Sequence, residues 1–353
     1  MSVHYESGVV DLDISRLHRY LSGRIPGFIG PLKVHKLATG QSNPTYRLDT
    51  PRNDAYALRR KPFGKLPATA HAIEREYRVM KCLGETEQNV PVPKMILRCD
   101  NESIIGARFF VMQFLKGRTF SNPSLPELTK EERYRCYESI LQALAGLHRV
   151  NYAKIGLEDW DRRGNYYKRQ AKKLAQVSRH QANYTRPLAD LECQTEWLMH
   201  NAPGGEQCLI HGDFKVDNFI FHPHKPQLIG IIDWEMSTVG HPLSDLATFV
   251  CMNQLSQTVT EMTDNGSTIL TEEECLRKYC RFVRKDYSQQ VWNYCKAFFY
   301  FKYSIIAQGV AARLTQGTAS SQRADKVAQY VPLLSWLATS AMQDTTETRE
   351  AKL

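Results

Sequence analysis

No run in this 353-residue sequence approaches the ~20 consecutive apolar residues that a membrane-spanning helix requires, so no transmembrane segment is expected. No Cys-x-x-Cys pair occurs. The nine cysteines, at 82, 99, 136, 193, 208, 251, 275, 280 and 295, form no Cys/His cluster with zinc-finger spacing. They read instead as reduced, mostly buried thiols of an intracellular protein. Internal repeats and long low-complexity linkers are also missing. Met1 to Ser15 carries acids and no apolar core segment, so a signal peptide is not expected. Acids are in deficit, 37 against 46 Lys and Arg, which leaves a net charge of +9. That balance favours an anionic ligand such as a nucleotide, a coenzyme or nucleic acid. The densest basic stretch, Arg162 to Arg186, reads first as a solvated face. A nucleic-acid recognition motif with interleaved aromatics is lacking, so no nucleic-acid partner is expected.

What is present is ordinary globular composition, 42% apolar and 24% charged, in a chain long enough for a two-lobed unit with a substantial core. Ile14, Leu17 and Leu21 have helical spacing within Asp11 to Arg24. Val34–Leu37, Tyr46–Leu48 and Ala55–Arg59 read as strands, the first two flanking a turn-rich loop at 38–44. Ala68–Leu83 reads as a helix, and Ile104–Leu115 contains an apolar strand. Beyond Gly117 the pattern turns helical. Thr129-x-x-Glu132 is a capping-box signal. Helices are expected from there through Leu147, and at Tyr166–Arg179, Leu188–His200, Glu272–Val283 and Val291–Leu314. The expected fold class is α+β, with a β-rich N-terminal lobe at 1–115, a helix-rich C-terminal lobe at 116–342 and a flexible tail at 343–353. A cleft between two such lobes is a common place for a ligand.

The chemistry concentrates in Leu209-Ile210-His211-Gly212-Asp213-Phe214-Lys215-Val216-Asp217-Asn218-Phe219-Ile220-Phe221 and in Gln227 to Glu235. Phe219–Phe221 and Gln227–Ile232 read as strands joined by the turn at 222–226, a hairpin signal. A hairpin returns its end to its beginning, so Asp233 is expected near Asn218. Phosphoryl transfer needs that arrangement. Oxygen ligands must hold the metal ions that neutralise the phosphates, and a carboxylate must orient the acceptor hydroxyl and take its proton. Asp213 is the expected base, and Asn218 and Asp233 the expected metal ligands. The alternative is that all three are simple turn residues. His211 is expected to brace the loop and take no part in the chemistry.

The His-Gly-Asp-x-x-x-x-Asn motif and the Ile-Asp-Trp-Glu motif together resemble the aminoglycoside phosphotransferase and choline kinase-like superfamily, which shares its fold with protein kinases. The His-Arg-Asp, Asp-Phe-Gly and Ala-Pro-Glu motifs of protein kinases are absent. The resemblance implies a bilobal protein-kinase-like fold and a kinase that uses ATP and Mg2+. It also implies a phosphate-binding cation at Arg59, with Arg60 and Lys61 as rivals, and a helix acid at Glu76, with Glu74 as rival. The loop at 40–45 stands where a glycine-rich phosphate loop would be, without Gly-x-Gly-x-x-Gly; Ser42 and Asn43 could offer donors there. Val111 to Leu115 resembles an interlobe hinge that would meet adenine at Gln113 and Leu115.

Further residues sharpen the likeness. Gly40-Gln41-Ser42-Asn43-Pro44-Thr45-Tyr46, Leu58-Arg59-Arg60-Lys61-Pro62, Arg75-Glu76-Tyr77, Gly164-Asn165-Tyr166-Tyr167 and the stretch from Trp234 to Ala247 resemble the kinase domains fused to acyl-CoA dehydrogenases. That implies phosphorylation of a hydroxyl on a hydroxyacyl-CoA of the 4-hydroxy type. Asn165, Tyr166, Arg169, Trp234 and Glu235 are then the substrate-binding candidates, and Asp245 a brace of the second lobe. The basic side chains of Arg162, Arg163, Lys168, Arg169, Lys172 and Lys173 could meet coenzyme A phosphates. Other acceptors stay open: an aminoglycoside, choline or another alcohol. So does a nucleotide-binding regulatory module without catalysis. Ala351-Lys352-Leu353 resembles the Ser-Lys-Leu peroxisomal address. In a eukaryotic source it implies a peroxisomal import receptor as partner, and otherwise a cytoplasmic location is expected.

Overall fold

The structure is a computed structural model that describes residues 11–37, 43–52, 54–63, 73–88, 90–162, 164–260, 270–319 and 324–350. The first element is α1 (Ile14–Ser22), capped by Asp13, whose carboxylate accepts from the Arg16 N–H at 2.9 Å. Next come β1 (Lys33–Lys36), β2 (Thr45–Asp49), β3 (Ala55–Arg60), α2 (Ile73–Gly84), β4 (Met95–Cys99) and β5 (Phe109–Gln113). The five strands form one antiparallel sheet in the order β1-β2-β3-β5-β4. Strand alternation puts Leu58 on one face of β3 and Arg59 on the other. Leu58 joins Tyr46, Leu48, Phe109 and Val111 in a core closed by Leu17 and Leu21 of α1. The strand expected within Ile104–Leu115 is β5. Strand β4 was not among the expected elements; it is the outer strand of the sheet, and Pro91 and Pro93 lie just before it.

Helix α3 (Lys130–Arg149) begins with the expected capping box. The Glu132 N–H donates to Thr129 Oγ1 at 3.3 Å, and the Thr129 N–H donates back to Glu132 Oε2 at 3.0 Å. Tyr137, Ile140, Leu141, Leu144 and Leu147 form its buried side. The chain continues through α4 (Tyr166–Gln181), α5 (Leu191–His200), β6 (Cys208–Ile210), β7 (Phe219–Phe221), β8 (Leu228–Ile231) and β9 (Thr238–Gly240). The predicted hairpin is present as antiparallel β7–β8, and β6 pairs with β9. The last helices are α6 (Leu243–Thr260), α7 (Glu272–Val283), α8 (Gln289–Thr315), α9 (Ala324–Gln329) and α10 (Val331–Glu350). Helices α4, α6, α9 and α10 all pack on α8.

One expectation is corrected here. Residues 343–350, read from their polarity as a flexible tail, are the last turns of α10. Ala341, Met342 and Thr345 are buried, and extending an anchored helix adds a hydrogen bond for each residue fixed. No helix among the described residues is long and apolar enough to cross a membrane.

Compactness divides the chain into two units. One joins Met1–Glu158, His211–Ser237 and Thr263–Thr271; the other joins Asp159–Ile210, Thr238–Met262 and Glu272–Leu353. The first unit therefore holds the five-stranded sheet, α3 and the β7–β8 hairpin. The second holds α4 to α10 with β6 and β9.

Candidate active site

The loop at 211–218 is shaped by glycine and histidine. Gly212 has φ +84°, and a Cβ there would stand 2.5 Å from the Met236 carbonyl oxygen, so no other residue fits without moving backbone. His211 is fully buried. Its Nδ1 accepts from the Asp213 N–H at 3.2 Å, which places the ring proton on Nε2, and Nε2 donates to the Ile232 carbonyl at 3.0 Å. His211 thus braces the loop against the end of β8, as expected.

The hairpin brings the three expected residues together. The Asn218 amide donates to the Asp213 carbonyl at 2.8 Å and to Asp213 Oδ2 at 3.2 Å. The Ile232 N–H donates to the Asn218 carbonyl at 3.0 Å, which fixes Asp233 one residue beyond. Asp233 is left-handed, with φ 67° and ψ 53°. With its NH2 engaged, Asn218 presents its amide oxygen as a remaining acceptor.

The first unit also supplies the cation and the acid. Arg59 Nε lies 2.9 Å from Glu76 Oε2, and Arg59 Nη2 donates to Asp233 Oδ1 at 2.6 Å. The approach to Glu76 is one of charge, without an aligned hydrogen bond. Burial pushes the Glu76 carboxyl up to about 7; Arg59 opposes it, and Asp233 and Glu235 add to it. For Arg59, burial pulls the pKa down, but Glu76, Asp233 and Glu235 outweigh it and hold the group above the ordinary arginine value. The rivals lie elsewhere. Arg60 is buried on the opposite face with Asp11, donates to Tyr46 Oη at 3.2 Å and lies over the Phe63 ring. Lys61 pairs with Glu74 at 3.2 Å.

Lys215 was not foreseen. Its Nζ sits 3.1 Å from Asp213 Oδ2. Burial pulls its pKa down, but Asp213, Asp217 and Asp233 raise it above the ordinary lysine value, so it stays charged. Its place two residues after Asp213 was the available signal.

The remaining candidates divide. Ser42 lies outside the described residues, as do the rest of 38–42. Asn43 is fully buried; its amide donates to Glu235 Oε2 at 3.1 Å and its Oδ1 has no hydrogen-bond partner among the described residues. Gln113 and Leu115 line a cavity of about 570 Å³ with Lys94 and Ile229. The Gln113 N–H is donated to the Lys94 carbonyl at 2.8 Å, so only the Gln113 carbonyl could turn toward a base. Trp234 is buried and donates from Nε1 to the Ile231 carbonyl at 2.8 Å.

Asn165, Tyr166 and Arg169 belong to the second unit, so the five substrate candidates do not gather in one unit. Asn165 caps α4 through the Lys168 N–H at 3.1 Å and donates to the Pro203 carbonyl at 2.7 Å. Tyr166 is buried, which pushes its hydroxyl up to about 12. Arg169 donates to the Gly164 carbonyl. Asn165 and Tyr166 line a cavity of about 340 Å³ with Glu206 and His241. Asp245, expected as a brace, is fully buried.

No cluster of three or more His, Cys, Asp and Glu that could hold a metal occurs among the described residues. Asn218 and Asp233 suit a different kind of site. Magnesium is commonly held by one or two protein oxygens, with substrate phosphates and waters completing its shell. Both side chains offer oxygen, so the donor set fits that ion.

Residues 33–272 match the phosphotransferase enzyme family (APH). Acyl-CoA dehydrogenase family member 11 of Rattus norvegicus is 39% identical over 325 residues, covering 88% of this chain and 41% of that protein. The Homo sapiens protein of the same name is 37% identical over 320 residues, covering 88% of this chain and 40% of that one. The chain therefore spans about two fifths of the length of the curated relatives it matches. A Ralstonia eutropha crystal structure, assigned as an aminoglycoside phosphotransferase, superposes with a TM-score of 0.81 at 31% identity, covering 94% of this chain and 99% of that one. A choline kinase from Cryptosporidium parvum shares the fold at TM-score 0.60 and 13% identity, covering 92% of this chain and 99% of that one.

Proposed function

Because this chain belongs to the phosphotransferase enzyme family, and so is an ATP-dependent phosphotransferase with a hydroxyl acceptor, we propose that it phosphorylates the hydroxyl of a hydroxyacyl-CoA at the site built around Asp213. One observation carries the catalytic part. The Asn218 amide bridges to Asp213 while the hairpin holds Asn218 beside Asp233.

In this reading Asp213 orients the acceptor hydroxyl and takes its proton as the oxygen attacks the γ-phosphorus. The bond from that phosphorus to the bridging oxygen breaks, and ADP leaves. Lys215 and Arg59 face the charge that grows on the transferring group and the leaving phosphate. Asn218 and Asp233 are the oxygen ligands for magnesium, which when bound neutralises phosphate charge. Glu76 positions Arg59, and Gln113 and Leu115 meet the base. Asn43, tied to Glu235, sets the end of the phosphate-side loop.

The acyl-CoA part rests on the relatives named acyl-CoA dehydrogenase family members and on α4. That helix exposes Lys168, Lys172 and Lys173, cations suited to coenzyme A phosphates. The test is a turnover screen with ATP and magnesium against 3-, 4- and 5-hydroxyacyl-CoAs, with aminoglycosides and choline alongside. Turnover only with the latter two would end the acyl-CoA reading, and none at all would move the acceptor to another alcohol. Asp213→Asn should lower turnover about 10²–10⁴-fold with ATP binding kept. Peroxisomal delivery through Ala351-Lys352-Leu353, which lies outside the described residues, belongs to the same reading for a eukaryotic source. Peroxisomal signal that persists after deletion of the tripeptide would refute it.

A further inference from the structure

A third cavity, of about 550 Å³, lies wholly within the second unit, between the 185–190 loop and helices α8, α9 and α10. That volume is in the range of small-molecule pockets. Leu188, Ala311, Ala328, Val331 and Pro332 give it an aliphatic wall, and the two alanines keep it open. Of its polar groups, Gln308, Ser335 and Thr339 are already engaged by the protein, while Thr185, Arg186 and the carboxylate of Asp190 lie in the 185–190 loop that forms its other side. Gln308 accepts from Ser178 Oγ at 2.6 Å and donates to the Arg186 carbonyl at 3.2 Å. Ser335 and Thr339 both accept from Gln194 Nε2, at 3.3 and 3.0 Å. A polar occupant therefore gains few hydrogen bonds there, whereas an apolar one gains burial.

Two further observations concern the lining. Trp336 is 62% exposed, the most exposed large hydrophobic side chain among the described residues. An indole left in water beside an aliphatic slot is surface that a bound chain would cover. Arg186, also exposed, lines the same cavity and has no side-chain partner among the described residues.

We propose that this slot binds the aliphatic chain of an anionic amphiphile, a fatty carboxylate, with Arg186 meeting the anionic end. The ligand is named by the walls of the slot, so the proposal does not rest on the acceptor proposed above. Its test needs neither ATP nor turnover.

Calorimetric titration of the full chain with hexanoate, octanoate and decanoate, all below their micelle concentrations, should show saturable one-site binding. Affinity should rise about fourfold per added methylene. Ala311→Trp fills the slot and should weaken decanoate by at least about tenfold. Trp336→Ala, at an exposed position where misfolding is not expected, should weaken it severalfold. Arg186→Ala should weaken decanoate and leave decanol unchanged. The proposal fails if decanoate does not saturate, or if Ala311→Trp and Trp336→Ala, with parental thermal midpoints, bind it as tightly as the parent. Decanol binding as tightly as decanoate would remove the anionic end.

Discussion

Asp233 holds a left-handed backbone that a side chain with a Cβ resists, and it does so where the proposed magnesium site calls for a carboxylate oxygen. Asparagine tolerates that conformation nearly as well as aspartate. Asp233→Asn should thus keep the turn but lose the charge that answers Arg59, so the urea midpoint should fall modestly while most magnesium-dependent turnover disappears. Asp233→Val should also lose about 1–3 kcal/mol of stability in the same urea experiment. A β-branched variant as stable as the parent would show that the turn carries no strain. Lys215 makes a separate claim. If it stabilises the transferring phosphoryl group, Lys215→Met should lower kcat about 10²-fold with ATP affinity little changed. A parental kcat would reduce it to a surface partner of Asp213. At this scale Asp213, Asn218 and Asp233 were legible in the sequence, because their spacing and the hairpin between them fix their approach. The choice among Arg59, Arg60 and Lys61 was not. Alternation shows that neighbours face opposite ways, but only α2 with Glu76, and Asp11 on the other face, decide which side is which.

Helices with one buried stripe could be read directly: α1, α3, α4 and α7 all stand within a few residues of their expected places. Helix α6 was not foreseen. Leu243, Leu246, Ala247, Phe249, Val250 and Cys251 are buried nearly all round it, so no stripe of period 3.6 exists to detect. Helix α10 hid for the opposite reason, since its last turns are polar and only its packing on α8 shows that the helix continues. Glu272 fastens three of these elements. It accepts from Gln254 of α6 at 3.1 Å and from Trp292 of α8 at 2.6 Å, and pairs with Lys296 at 2.8 Å. Burial alone would raise its pKa, but Lys296, Trp292 and Gln254 outweigh burial and hold it below the ordinary 4.5. The unfolded chain therefore binds the proton more readily than the folded one. This contribution to stability is complete above pH 4.5 and is lost as the pH falls through the lower folded value. Glu272→Gln should cost about 2 kcal/mol at pH 7 in denaturant unfolding. The gap to the parent should narrow once the pH drops below the ordinary glutamate value. A gap that stays constant down to pH 3.5 would show that the charge is not what fastens the helices.

For the whole molecule the decisive property is that neither compact unit is one stretch of chain. The first unit takes His211–Ser237 from between two segments of the second. That insert is structural as well as chemical. The Ile231 N–H donates to the Pro91 carbonyl at 2.7 Å, and the Leu228 N–H donates to Ser139 Oγ at 3.0 Å. Asp233 also answers part of the charge of a guanidinium that is 6% exposed. A fragment ending at Glu158 would keep Arg59 and Glu76 but lose all three contacts. It would leave those backbone and side-chain groups without their partners, and it would expose the apolar side of α3 that β8 covers. The five-stranded sheet by itself resembles a separable domain, and a reading from sequence places a boundary near residue 115. The hydrogen bonds argue against cutting there or at 158. Residues 1–158 expressed alone should lack a cooperative thermal transition and should bind a dye for exposed apolar surface, whereas the full chain should melt cooperatively. A sharp transition in the fragment, with nucleotide still raising its midpoint, would mean that the sheet unit stands without its hairpin and that the insert serves catalysis alone.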